Sequence, residues 1–129
     1  MKLGWVIHYV PDVAVTLEFY ERAFGCTRGM MTEGAEFGTL ATGETTLAFC
    51  AESFLAADGG FDFMPMRPNK LPAASEIAFV TEDVAGAFHK AVAAGALPLL
   101  EPKEKPWGQI VAYVRDLNGF QVEICSPVG

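Results

Sequence analysis

The sequence has little of three things that would each have pointed to a function. It has only three cysteines, Cys26, Cys50 and Cys125, widely spaced and without a CxxC pair. An odd, scattered set gives neither a disulfide framework nor a zinc-finger signature. Basic charge is also scarce. Nine Lys and Arg stand against 16 Asp and Glu, for a formal net charge of -7 and a pI near 4.7. That balance argues against electrostatic binding to nucleic acid or to an anionic membrane surface, and suits a cationic small ligand. Finally, no apolar run resembles a signal peptide or a membrane span, so the expected location is the reducing cytoplasm. The two histidines, His8 and His89, form neither a His-x-His nor an HExxH arrangement.

What is present is enough for one folded domain. The chain has 129 residues, 51% hydrophobic and 19% charged, so it can bury a core. Leu3 to Tyr9 alternates, with Trp5, Ile7 and Tyr9 on one face and Val6 and His8 on the other. Asp12 is a good helix N-cap, Val13, Leu17, Tyr20 and Phe24 follow at helical spacing, and Gly25 ends the run, predicting a helix over 13–24. Short strands are expected over 26–32, 35–42 and 45–51. Asp83 caps a second helix over 84–94 after a strand at 75–81, and a short strand at 97–100 precedes a polar loop, EPKEKP.

The second half repeats the first. Trp5 and Glu76, Asp12 and Asp83, and Leu17 and Phe88 are each 71 residues apart. Each half reads as a βαβββ unit, which cannot bury both faces of its sheet alone. The expected fold is α+β: two βαβββ modules forming a curved mixed sheet around a concave cleft, with helices outside. Module 1 spans about 1–52, a linker 53–73, and module 2 about 74–129. The Glu52 to Ala74 stretch carries Gly59-Gly60 and three prolines, which rule out a long regular element. Its Phe61, Phe63, Met64 and Met66 are too apolar for a free loop and are read as a lid over the cleft or as part of a homodimer contact.

The richest stretch is PWGQIVAYVRDLNGFQVEIC, residues 106–125. It reads as a loop, a strand, the turn Asp116-Leu117-Asn118-Gly119, and a strand alternating Phe, Val, Ile against Gln, Glu, Cys. A hairpin in which Asp116 opposes Phe120 puts Glu123 opposite Tyr113. An acid beside an aromatic, reached past Trp107, is a candidate pocket; a solvated outer-face glutamate is the plain alternative.

These features together resemble the vicinal oxygen chelate superfamily: glyoxalase I, bleomycin-resistance proteins and extradiol dioxygenases. The residues that carry the resemblance are the strand–PDV–helix block ending FYERAFG, the block EIAFVTEDVAGAFHKAVAAGA, and the terminal hairpin, which matches the family's "DPDG" hairpin with Leu-Asn replacing Pro-Asp. In metal-dependent members one ligand comes from each of four strands. The resemblance places those slots at Trp5, Ala48, Glu76 and Glu123. Trp5 stands where a His is expected, and neither it nor Ala48 can donate a lone pair, which leaves Glu76 and Glu123 as weak metal candidates. His8, on the opposite strand face from Trp5, is read as a packed or capping histidine, and His89 as a solvent-facing helix residue.

The resemblance implies one wall bearing Trp5, Ile7, Ala48, Glu76, Trp107, Tyr113 and Glu123. Two carboxylates in a poorly solvated cleft invite a cation, and Trp5 and Tyr113 offer π-faces to it. The expected function is a metal-free, cofactor-free binding protein of the bleomycin-resistance type, sequestering a planar or cationic ligand in a dimer cleft. The alternative is a glyoxalase- or dioxygenase-like enzyme, a lyase, isomerase or oxygenase, with an atypical divalent metal site or with Glu123 as a catalytic general base. Two blander readings remain: a Glu paired with a cation such as Arg115, and a purely structural module with a filled cleft. The ligand's identity cannot be read from the sequence.

Overall fold

Asp12 and Asp83 start the two long helices in the same way. The Asp12 carboxylate accepts from the Val15 N–H at 3.0 Å, and Asp83 accepts from the Gly86 N–H at 2.9 Å. Each satisfies a donor that a helix start leaves open. A Cβ on Gly86 would collide with the Asp83 carboxylate, so the glycine makes room for the cap. Strand β1 (Trp5–Val10) precedes helix α1 (Val13–Phe24), which ends where Gly25 turns left-handed at φ 67. The computed structural model describes residues 1–58 and 60–128; Gly59, half of the Gly59-Gly60 pair, and the terminal Gly129 lie outside the described residues.

The chain continues through β2 (Thr27–Met31), β3 (Phe37–Ala41), β4 (Thr46–Ala51) and a short helix α2 (Glu52–Asp58). The second half runs β5 (Glu76–Val80), α3 (Val84–Ala93), β6 (Leu97–Glu104), β7 (Ile110–Arg115) and β8 (Gln121–Cys125). It divides into two compact units, Met1–Pro65 and Met66–Gly129. Each is a βαβββ module with its own four-stranded mixed sheet. The strand orders, β1-β4-β3-β2 and β5-β8-β7-β6, are the same permutation. In both, the first strand pairs parallel with the last and the remaining ladders are antiparallel. The repeat read from the sequence is therefore a repeat of topology.

One face of each sheet is covered by its helix. In the first unit Val13, Leu17 and Tyr20 of α1 are buried, and the Tyr20 ring lies 5.0 Å from Phe49 of β4. In the second, Val84, Phe88 and Ala91 of α3 are buried with Ala112, Val114, Val122 and Ile124. Strand alternation sends the intervening residues to the other face, and that face carries the candidate site.

Two elements differ from the sequence reading. Helix α2 lies inside the stretch read as linker, because ESFLAAD contains no Gly or Pro and the breakers come only after it. Strand β6 runs through Pro98 and Pro102 to Glu104, where a polar loop was expected after Leu100. It is an edge strand, paired only with β7, and an edge strand tolerates proline on its unpaired side. Among the described residues, no helix is long and apolar enough to cross a membrane.

Candidate functional site

On the open face of the second unit, sheet register brings two carboxylates together. Glu76 of β5 pairs with Gln121 of β8, and Glu123 lies two residues further along β8, opposite Ala78. On its other side Glu123 pairs with Tyr113 of β7, as the hairpin count predicts. The turn behind this register is specific. The Asp116 carboxylate accepts from the N–H groups of Asn118 and Phe120, both at 2.9 Å, and Gly119 sits at φ 99, a conformation that favours glycine.

The electrostatics follow from that packing. Burial first, then the hydrogen bond and charge of Glu123, raise the Glu76 carboxyl; a hydrogen bond from Gln121 opposes them. That contact is long, with Gln121 Nε2 3.4 Å from Glu76 Oε1. The Tyr113 phenol is pushed up to about 12 by burial and then by Glu123. The Cys125 thiol, on the same face, rises to about 11 for the same two reasons, against a hydrogen bond with Gln109. No cationic side chain is among the groups acting on these three. Like charges held close without a counter-cation favour a proton on one of them or a cation between them.

Arg115 does not supply that cation. Its Nε donates to the Gly119 carbonyl at 2.8 Å, Nη1 to the Pro68 carbonyl at 3.1 Å and Nη2 to the Arg67 carbonyl at 3.2 Å. Its guanidinium is spent on main-chain carbonyls, fastening residues 67–68 to the β7–β8 turn. The reading in which Arg115 neutralises a site glutamate is therefore set aside.

The equivalent positions of the first unit carry other chemistry. Trp5 opens β1 as Glu76 opens β5, and Ala48 opposes Ile7 as Glu123 opposes Ala78. The rings of Trp5 and Phe37 approach to 6.0 Å, and Ala48 is wholly buried. Trp5 and Ile7 stay largely exposed, so this open face is aromatic and apolar. Cys50 and Cys125 also occupy matching register positions, and burial raises both thiols.

A catalytic divalent metal does not fit this donor set. An indole and a methyl group offer nothing to a cation's coordination sphere, and two carboxylates fall short of the three protein ligands such a site normally needs. Among the described residues, no three His, Cys, Asp or Glu side chains come together as a metal site. His8 is no substitute. It pairs in register with Phe49 on the helix-covered face, meets that ring edge-on at 6.1 Å, and burial lowers its pKa to about 4. His89 is exposed on α3, beside Phe88.

The four lid residues do not form one cover. Phe61 and Phe63 lie against Tyr9 in the first unit, with centroids at 6.3 and 5.0 Å. Met66 is buried in the second unit, its sulfur 4.0 Å from Arg115 Nη2, while Met64 is 88% exposed. A shallow hollow of about 390 Å3 lies beside Leu55, Ala56, Gly60, Phe61 and Asp62.

Trp107 stands in the β6–β7 turn, and its indole Nε1 donates to Gln109 Oε1 at 2.8 Å. Gln109, Gln121, Cys125 and Phe37 were not singled out from the sequence. Extending the alternation of Tyr113 and Glu123 by one step finds the first three, since they share that face. Phe37 had no sequence signal, because its meeting with Trp5 depends on the register of β3 and β4.

Comparison with known proteins bears on the fold. A glyoxalase-related enzyme from Fulvimarina pelagi is 22% identical, with a TM-score of 0.83 over 100% of this chain and 93% of that one. A glyoxalase/bleomycin resistance protein/dioxygenase family enzyme from Burkholderia phytofirmans PsJN is 20% identical, with a TM-score of 0.77 over 98% of each chain. TioX from Micromonospora sp. ML1 is 19% identical, with a TM-score of 0.73, again over 98% of each. At such identities the likeness shows the fold alone. Among curated proteins none matches. The family model described as glyoxalase/bleomycin resistance protein/dioxygenase superfamily matches residues 2–124, and the chain belongs to that superfamily.

Proposed function

We propose that this protein is a metal-free small-molecule-binding protein of the bleomycin-resistance type, which holds a planar organic cation on the open face of its second unit. The observation that carries this reading is the Glu76–Glu123 pair, flanked by Tyr113 and served by no cationic side chain among the groups acting on Glu76. A ligand ammonium or guanidinium would relieve the pair and gain the Tyr113 ring as a neighbour. The replacement of donors by Trp5 and Ala48 at the equivalent positions supports a role without a catalytic metal.

Fluorescence titration with proflavine, a flat cation, and acridone, its neutral analogue, tests the proposal. Proflavine is expected to bind tighter, and to bind equally well in EDTA. Equal affinity for both dyes sinks the cationic assignment.

A second reading, a proton-transferring lyase or isomerase with Glu123 as general base, draws support from the raised Glu76 carboxyl, which can donate a proton near neutral pH. Turnover of a carbonyl substrate that Glu123→Gln abolishes would favour it. We also propose a homodimer in the cytoplasm. Exposed Trp5, Ile7, Val80 and Leu100 support the pairing, and three free cysteines suit a reducing compartment. Sedimentation at the monomer mass of 13.9 kDa would contradict the dimer.

A further inference from the structure

Trp107 is 65% exposed, yet its side chain is not loose. It sits in a turn closed by the Lys105 N–H on the Gln109 carbonyl and the Gly108 N–H on the Lys105 carbonyl, both at 2.8 Å, with Gly108 at φ 92. The indole has one donor, and Gln109 Oε1 takes it at 2.8 Å. Gln109 is itself held, because its Nε2 donates to the Ser126 carbonyl at 2.9 Å. Ser126 is fixed in turn. Its N–H donates to the Ile110 carbonyl at 2.9 Å, and its Oγ accepts from the Ile110 N–H at 2.8 Å. An exposed ring is thus braced through two side-chain hydrogen bonds to the end of β8.

We propose that Trp107 is a pre-oriented stacking platform for the flat aromatic part of the ligand, and that Gln109 is the residue that positions it. The inference rests on the binding function proposed above and narrows the ligand class to a planar aromatic cation. Tying down the N–H fixes the plane of the ring and leaves its face to the ligand, so less rotamer freedom is lost on binding. The platform is continuous with the charged part of the face. Gln109 hydrogen-bonds with the Cys125 thiol, and that thiol hydrogen-bonds with Glu123. A ligand stacked on Trp107 therefore has the carboxylates on the same sheet face for its charge.

A double-mutant cycle tests the positioning role, because Trp107→Phe keeps a flat ring but removes the N–H. Proflavine affinity is measured for the wild type, Gln109→Leu, Trp107→Phe and the double variant, each checked for folding by circular dichroism. Gln109→Leu alone is expected to weaken binding about threefold to tenfold, the value of one hydrogen bond. In the Trp107→Phe background the same change should alter affinity less than about twofold. With Trp5→Phe, Trp107 becomes the only tryptophan, and its fluorescence anisotropy without ligand should fall when Gln109 is replaced. An equal loss in both backgrounds, or a Trp107→Ala protein that binds as tightly as wild type, overturns the inference and leaves the binding function standing. An anisotropy unchanged by Gln109→Leu also overturns it. A wild-type protein that binds no proflavine overturns the binding function, and the platform with it.

Discussion

Glu123 faces Tyr113 directly across the β7–β8 ladder, and the phenol is pushed up to about 12, by burial and then by that carboxylate. The matching ladder of the first unit pairs Thr39 with Ala48. The two modules thus share a backbone plan but not a chemistry. Charge is concentrated on the open face of the second sheet, and aromatic surface on that of the first.

The tightest sequence requirement near this face is Gly119. A Cβ there would lie 2.6 Å from the Arg67 carbonyl oxygen and 2.7 Å from Arg115 Nη2, at φ 99. Gly43 has a similar φ of 98 but nothing within 4 Å of a Cβ. Urea unfolding should therefore separate them. Gly43→Ala should cost about 1 kcal/mol, from backbone strain alone. Gly119→Ala should cost roughly 3 kcal/mol or more, since strain adds to a clash with fixed main chain. Equal losses would refute the close approach of residue 67.

Arg115 should not tolerate lysine. Its fork reaches three carbonyls, those of Gly119, Pro68 and Arg67, and an ammonium cannot reproduce that geometry. Arg115→Lys is expected to lose roughly 2–4 kcal/mol, as hydrogen bonds from a charged group are removed and buried acceptors stranded. It should also speed proteolysis near residues 67–72. Wild-type cleavage rates in the lysine variant would show that the clasp is not what holds the segment.

His8 sets an acid limit on stability. Its folded pKa of about 4 lies below the unfolded value near 6.5, so it favours the native state fully only above 6.5. As pH falls from 6.5 to 4, the unfolded chain takes up a proton that the native state resists. That contribution, on the order of 3 kcal/mol, is then lost, with nothing further below 4. The free-energy gap between wild type and His8→Leu should move in the variant's favour across that window. Parallel pH profiles would place His8 in water.

Much of the fold was legible because its signals are local. Asp12 and Gly25 bracket α1, Asp83 starts α3, and the Asp116–Gly119 turn fixes the register that sets Glu123 against Tyr113. What was missed depends on context. Proline reads as a break until β6 is known to be an edge strand, and ESFLAAD was hidden in a window judged by its later breakers. Arg115 looked like a partner for a carboxylate, because its main-chain acceptors leave no side-chain signature. The lid residues were grouped by adjacency in sequence, but packing assigns Phe63 to Tyr9 and Met66 to Arg115.

The central claim, a metal-free site for a planar cation governed by Glu123, is tested most directly by titrating wild type and Glu123→Gln with proflavine and acridone in EDTA. Loss of the carboxylate should weaken proflavine by roughly 1.5–3 kcal/mol, about tenfold or more, the value of a charge-assisted contact. Acridone affinity should change little, and adding a divalent metal should not restore proflavine binding. If wild-type binding instead disappears in EDTA and returns with a divalent metal, or if both dyes lose affinity equally on Glu123→Gln, the account is contradicted.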